Sequence, residues 1–216
     1  MKQWAAGLVI GLLAAPGALA AQDVCGGTVK APGKGGWSEY VVNSPRARSA
    51  STVRYAVVGT EARQGKNHLR IETRVQNSER TFTALTQVVV PGFPYEQEAI
   101  QEVVVQQGNR PAARWGPSLL VQARSSPRAP LTQLIVDACT GSRLVGEEQV
   151  TVPAGAFTTR HYRNAAAGSD IWVSEEVPFG IVKVTGLNGA SMELMARGTG
   201  AGSSVKGEPV LTNVPG

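Results

Sequence analysis

The sequence predicts a mainly β domain of antiparallel strands, and three observations carry that prediction. From Asn67 to Val75 the chain alternates with period two. Leu69, Ile71, Thr73 and Val75 fall on one face, and His68, Arg70, Glu72 and Arg74 on the other. One apolar and one polar face mean a sheet wetted on one side, hence antiparallel pairing. Asn188-Gly189 stands between two strand-like runs and is the strongest short hairpin signal in the chain. No segment carries a sustained helical repeat.

The elements follow in order. Strands are predicted at Trp37–Val42 and Val53–Val57, and a turn at Gly65-Lys66 leads into the alternating run. Further strands are predicted at Phe82–Val90, Ile100–Gln106, Leu131–Val136, Arg143–Val152, Phe157–Arg163, Asp170–Ser174, Ile181–Gly186 and Ser191–Arg197. Pro153-Ala154-Gly155 reads as a tight connection, because proline presets φ and glycine accepts a positive one. Short helical turns are predicted at Tyr95–Ile100 and Pro117–Ala123, as caps or lids. Gln107–Pro130 carries Pro111, Pro117, Pro127 and Pro130 with Arg110, Arg114, Arg124 and Arg128, and reads as a long crossing loop. The expected organisation is a signal peptide over 1–20, a flexible arm over 21–36, one β domain over 37–197 and a disordered Gly/Ser-rich tail over 198–216.

The first residues set the compartment. Met1-Lys2-Gln3 is a basic start, Ala5–Ala15 is apolar, Pro16-Gly17 breaks it, and Ala18-Leu19-Ala20 offers the small residues a signal peptidase reads. Cleavage after Ala20 is expected, with a periplasmic or secreted product. Asp23 and Val24 before Cys25 do not fit lipid attachment at that cysteine. No later segment approaches the roughly 20 apolar residues of a membrane span. In an oxidising compartment the only two cysteines, Cys25 and Cys139, read as a disulfide. The formal charge of +5 is spread along the chain and does not argue for nucleic acid.

Catalytic patterns are missing. His68 lies on the polar face of its strand and reads as solvated. His161 invites a Ser-His-Asp arrangement with Asp170, but no G-x-S-x-G elbow presents a serine. Two separated histidines and two distant cysteines give no metal-ligand spacing. Glu147-Glu148 and Glu175-Glu176 are neighbours, which point to opposite faces of a strand. Gly33-Lys34-Gly35-Gly36 lacks the strand, spacing and helix of a phosphate loop. Trp37 and Trp172 read as core, and Trp115 as an anchor of the arginine-bearing loop. The sequence therefore predicts no enzyme, no cofactor and no metal.

Val152-Pro153-Ala154-Gly155-Ala156-Phe157, followed by Trp172-Val173-Ser174-Glu175-Glu176-Val177-Pro178-Phe179-Gly180-Ile181-Val182-Lys183, resembles the C-terminal half of exported bacterial proteins related to the LolA/LolB lipoprotein carriers. The resemblance implies a single strongly curved antiparallel sheet, a half-barrel, with a lid over a concave face that binds acyl chains in the carriers. No arginine here matches a functional arginine of a carrier, so no carrier site residue carries over.

The expectation is a non-catalytic extracytoplasmic binding protein for a lipid or lipoprotein acyl chain. Tyr55, Val57, Leu69, Ile71 and Val75 would line the concave face, if Phe93–Ala99 and Gln107–Pro130 do not fill it. Trp115, Arg114 and Arg124 would contribute from the loop, with the arginines near a headgroup. The alternative is a structural or protein-interaction module of the cell envelope, which would use a sheet edge or the loop.

Overall fold

The computed structural model describes residues 24–45, 49–79, 83–125, 131–187 and 189–213. Residues 1–20, where the signal peptide is expected, lie outside the described residues. The chain forms one curled, unclosed sheet of twelve strands. Five strands make one half: β1 (Trp37–Asn43), β2 (Ser51–Arg63), β3 (Lys66–Asn77), β4 (Thr83–Val90) and β5 (Glu102–Gln107). The short β6 (Ala113–Trp115) extends it. The other half is a meander of β7 (Arg143–Val152), β8 (Gly155–Asn164), β9 (Ser169–Val173), β10 (Ile181–Leu187) and β11 (Ala190–Gly198). Pairing of β1 with β11 joins the halves, and β7 is left as one edge. At the other edge β12 (Val210–Thr212) pairs with β6 in parallel, the one departure from antiparallel order.

The turns show why the register holds. Gln64 and Gly65 both have positive φ, 51° and 73°, and Arg63 pairs with Lys66 across them. That is the geometry whose twist matches antiparallel strands. Val152 pairs with Gly155 across Pro153-Ala154, and Leu187 pairs with Ala190. Tyr40, Ile71, Ile171, Ile181, Met192 and Leu194 are fully buried on the concave side.

Three sequence expectations are corrected. Leu131–Val136 is not a strand. It belongs to helix α2 (Leu131–Cys139), which packs on β8 and β9. Apolar residues at 131, 134, 135 and 138 do follow a helical stripe, but so short a run does not separate helix from strand. Asn164 Nδ2 donates to Asp137 O and Thr140 O, at 3.0 and 2.7 Å, and so satisfies carbonyls at the open end of α2. The crossing loop likewise contains structure, with β6 and helix α1 (Pro117–Arg124) inside it.

The N-terminal arm is not flexible where it is described. Cys25 is bonded to Cys139, Val29 is buried, and the Gly35 and Gly36 backbones bond with Val57 at 2.7 and 3.0 Å. Gly180 (φ 77°) lies so close to Thr28 that a Cβ would meet its carbonyl oxygen at 2.2 Å. The tail after Gly198 is also ordered. It crosses the convex face, where Ser204 N donates to Glu72 Oε2 (2.8 Å) and Lys206 N to Gln106 Oε1 (3.0 Å). His68 is buried, with a ring nitrogen 3.1 Å from Lys66 O. Trp37 and Trp172 are only partly buried and meet cations, Arg54 and Lys183, on the outer face.

The disulfide ties the first described turn to the end of α2 over a separation of 114 residues. Closing so long a loop restricts the unfolded chain, and removing a native bridge typically costs about 2–5 kcal/mol. The C25A/C139A double variant should show that loss as a lower urea midpoint against the oxidised parent. Coincident midpoints would mean the bridge adds nothing.

Candidate functional site

The concave face is filled at one end and hollow at the other. Over β7–β11 it is packed by α2 and by large side chains such as Phe157, Tyr162 and Ile171. Over β2–β5 the inward side chains are smaller. There a cavity of about 390 Å³ remains, open on one side. Its floor is made by Val53 and Tyr55 of β2, Thr73 and Val75 of β3, Thr86 and Val88 of β4, and Val103 of β5. The alternation of each strand brings these residues to one face. Register sets them side by side: Val53 lies opposite Val75, Tyr55 opposite Thr73, and Thr73 opposite Thr86.

The cover comes from the segment between β4 and α2. Tyr95, Gln97 and Ile100 contribute from the first connection, around a single 3-10 turn at Gln97–Ala99. Trp115 contributes from β6, Ala123 from α1 and Thr132 from α2. Helix α1 starts with Gly116 as N-cap and Pro117 in its first turn, where a missing N–H costs nothing. It is tied to the 3-10 segment at its far end. Arg124 Nε donates to Ile100 O at 2.8 Å, and Gln97 Nε2 donates to Ala123 O at 3.2 Å. The tail holds the near end: β12 pairs with β6, and Gly116 N donates to Thr212 O at 2.7 Å.

No lining side chain is charged. A ring cluster closes the deep end. Phe93 and Phe179 meet edge to face at 4.9 Å, and Tyr55 stands 6.0 Å from Phe179 and 6.3 Å from Tyr40. Burial raises the phenol pKa values of Tyr40, Tyr55 and Tyr95. Hydrogen bonding with Thr132 offsets part of the rise at Tyr95, and with Ser38 part of that at Tyr40. All three are neutral phenols at ordinary pH.

The residues singled out from sequence separate into groups. Tyr55, Val75 and Trp115 line the cavity together. Val57 and Ile71 are fully buried core residues, and Leu69 packs partly buried against that core. They belong to the filled part of the face. Arg114 sits on the outer side of its strand, 3.9 Å from Glu102. Arg124 is adjacent to the cavity, but its guanidinium is spent on the Ile100 carbonyl. Val53, Thr86, Val88 and Val103 follow from strand alternation once register is known. Thr132 carried no sequence signal, because its segment reads as a strand.

His161 occupies a different place, on the outer face. Its Nε2 lies 2.6 Å from Asp170 Oδ1, its Nδ1 lies 3.0 Å from Glu148 Oε1, and its ring stacks on Trp172 at 4.4 Å. Both ring nitrogens face carboxylates, which leaves neither for a serine hydroxyl. Among the described residues no group of three or more His, Cys, Asp or Glu is placed to hold a metal ion, and no helix is long and apolar enough to cross a membrane.

No family model matches the sequence, and no curated protein matches it. Solved structures similar to this chain include a protein designated exported, with a YmcC-like fold, from Bacteroides fragilis NCTC 9343 (TM-score 0.37, 8% identity, 78% of this chain and 98% of that one). A protein designated a lipoprotein from Parabacteroides distasonis ATCC 8503 matches with TM-score 0.36 and 12% identity, over 78% of this chain and 97% of that one. MucB in complex with MucA(peri) matches with TM-score 0.35 and 14% identity, over 78% of this chain and 51% of that one.

Two outer-face carboxylates govern the acid side of stability. Burial alone would raise Glu102, but hydrogen bonds from Arg63 (2.7 Å) and Arg70 (3.0 Å) outweigh it and lower its pKa. Burial likewise opposes the lowering of Asp170, which Arg163 and His161 impose. A carboxylate lowered on folding stabilises fully above its unfolded pKa of about 4 and loses that contribution as pH falls through the folded value. Urea unfolding between pH 2 and 7 should therefore show stability falling below about pH 4. Glu102→Gln should flatten that fall and cost about 1 kcal/mol at neutral pH, given the part-exposed partners. An unchanged acid limb in the variant would remove Glu102 from this role.

Proposed function

We propose that this chain is a non-catalytic extracytoplasmic binding protein that takes one apolar chain, of a lipid or lipoprotein, into the cavity between β2–β5 and the α1 cover. The observation that carries the reading is the hollow itself: about 390 Å³, open on one side and lined without a charge. It falls in the size range of small-molecule sites. Apolar chain entering it is removed from water at roughly 25 cal/mol per Å² buried. A charged headgroup finds no counter-charge among the lining residues and stays at the mouth. The Cys25–Cys139 bridge suits an oxidising compartment.

A second reading, an envelope module that binds protein, is favoured by one observation. The edge strand β7 exposes Leu144 and Val145, each more than half accessible. Such an edge can pair with an extended segment of a partner.

Native mass spectrometry of the mature chain from its own envelope fraction, followed by solvent extraction, tests the first reading. One acyl-type ligand per chain is the expected result. Val75→Trp places an indole in the hollow and should cut that occupancy at least tenfold while the far-UV spectrum stays native. A chain that arrives empty and remains empty with fatty acid and lysolipid sinks the first reading and leaves β7 as the surface to pursue.

A further inference from the structure

We infer that Tyr55 is the specificity residue of this cavity: its hydroxyl reads a neutral oxygen carried within an apolar chain. The inference rests on the reading that the cavity binds such a chain. The first observation is the hydroxyl. Tyr55 lines the cavity and is 3% exposed, and its Oη makes no hydrogen bond among the described residues. The neighbouring phenols are partnered, Tyr40 donating to Ile181 O at 3.2 Å and Tyr95 meeting Thr132. A buried hydroxyl without a partner is destabilising. The ring contacts of Tyr55 with Tyr40 and Phe179 do not use the oxygen, so phenylalanine would keep them and shed that cost. An oxygen that serves the fold in no visible way is available to a ligand.

The second observation is the pattern of the floor. Tyr55 on β2, Thr73 on β3 and Thr86 on β4 stand opposite one another and form a row of hydroxyl-bearing side chains across three strands. The row above is apolar, with Val53 opposite Val75. The row below is apolar too, with Val88 opposite Val103. Adjacent rows on one face of a sheet lie about 7 Å apart. The polar band is therefore flanked by apolar surface on both sides, which suits an oxygen inside a chain rather than at its end. With no charged side chain in the lining, that oxygen is neutral, a hydroxyl or a carbonyl.

Size narrows the class. At roughly 30 Å³ per water-sized group, the cavity holds about a dozen heavy atoms. That is one chain of about ten carbons, not the paired chains of a diacyl lipid. The structure thus points to a medium-length acyl chain with an internal hydroxyl or carbonyl.

The test uses the delipidated full-length mature protein and four probes: decanoic acid and its 3-hydroxy, 5-hydroxy and 10-hydroxy derivatives. Dissociation constants come from titration calorimetry. One internal hydroxy isomer should bind at least about fivefold tighter than both decanoic acid and the terminal 10-hydroxy isomer, the weight of one neutral hydrogen bond. Tyr55→Phe should bring that ratio to about one, with a melting temperature no lower than the parent. Thr73→Val, on the same row, should reduce the ratio in part and gives a second readout if Tyr55→Phe does not fold. Equal affinity for all four probes overturns the inference and leaves the chain-binding reading standing. A ratio that survives Tyr55→Phe also overturns it. Binding of no probe overturns both.

Discussion

The rest of the molecule depends on where the aromatic rings stop. Phe93, Tyr95, Phe179, Tyr55 and Tyr40 form a continuous wall across the concave face, with centroids 4.9 to 6.4 Å apart. Edge-to-face pairs of this kind add about 0.5–1.5 kcal/mol each beyond their burial. The wall joins four separate parts of the chain: β1, β2, the connection after β4 and the loop between β9 and β10. On one side of it the sheet is filled like an ordinary core. On the other it is not, and the cavity begins at the Tyr55 ring.

A curled sheet that stays open needs its ends held by something other than closure. Here both termini of the described chain do that work from outside. The N-terminal segment is bonded to α2 through Cys25–Cys139 and lies against Gly180, so it braces the filled half. The C-terminal segment crosses the convex face over Glu72, Gln87 and Gln106, which are nearly buried beneath it. It then adds β12 to β6 and reaches the first turn of α1. The cover of the hollow half is therefore anchored by residues remote from it in sequence.

How much of this was legible follows from the range of each interaction. The strands, the Gln64-Gly65 and Pro153-Ala154 turns and the face on which Thr73 and Val75 lie are local matters, and period two with turn chemistry reports them. The disulfide needed only the count of cysteines and the compartment. What stayed hidden was set over long range. A Gly/Ser-rich tail reads as disordered until one sees that Glu72 and Gln106 offer it partners. Leu131–Cys139 reads as a strand until β8 supplies Asn164 to satisfy its carbonyls. Val57 and Ile71 share an alternation pattern with Tyr55 and Val75. No pattern within one strand tells which of them faces filled core and which faces space, because that depends on the rings arriving from Phe93 and Phe179.

The hollow is a consequence of side-chain volume, and this bears on why the site is specific at all. Along the row from Tyr55 the chain places threonine twice, where valine would fit the same space and bury apolar surface without a polar cost. Leucine or phenylalanine at Val53, Val75 or Val103 would instead fill the void, as large residues do under α2. A core selected for stability alone would take either course, since empty apolar volume and unpaired hydroxyls are both unfavourable. The chain does neither and accepts both costs in the same few square ångströms of sheet, beneath a cover held in place by two hydrogen bonds and a three-residue strand. Those costs fall in one place and vanish together when a chain bearing an oxygen lies in the cavity. Filling the void and satisfying the hydroxyls are then one event, and it couples occupancy to the stability of the half of the sheet that is otherwise under-packed.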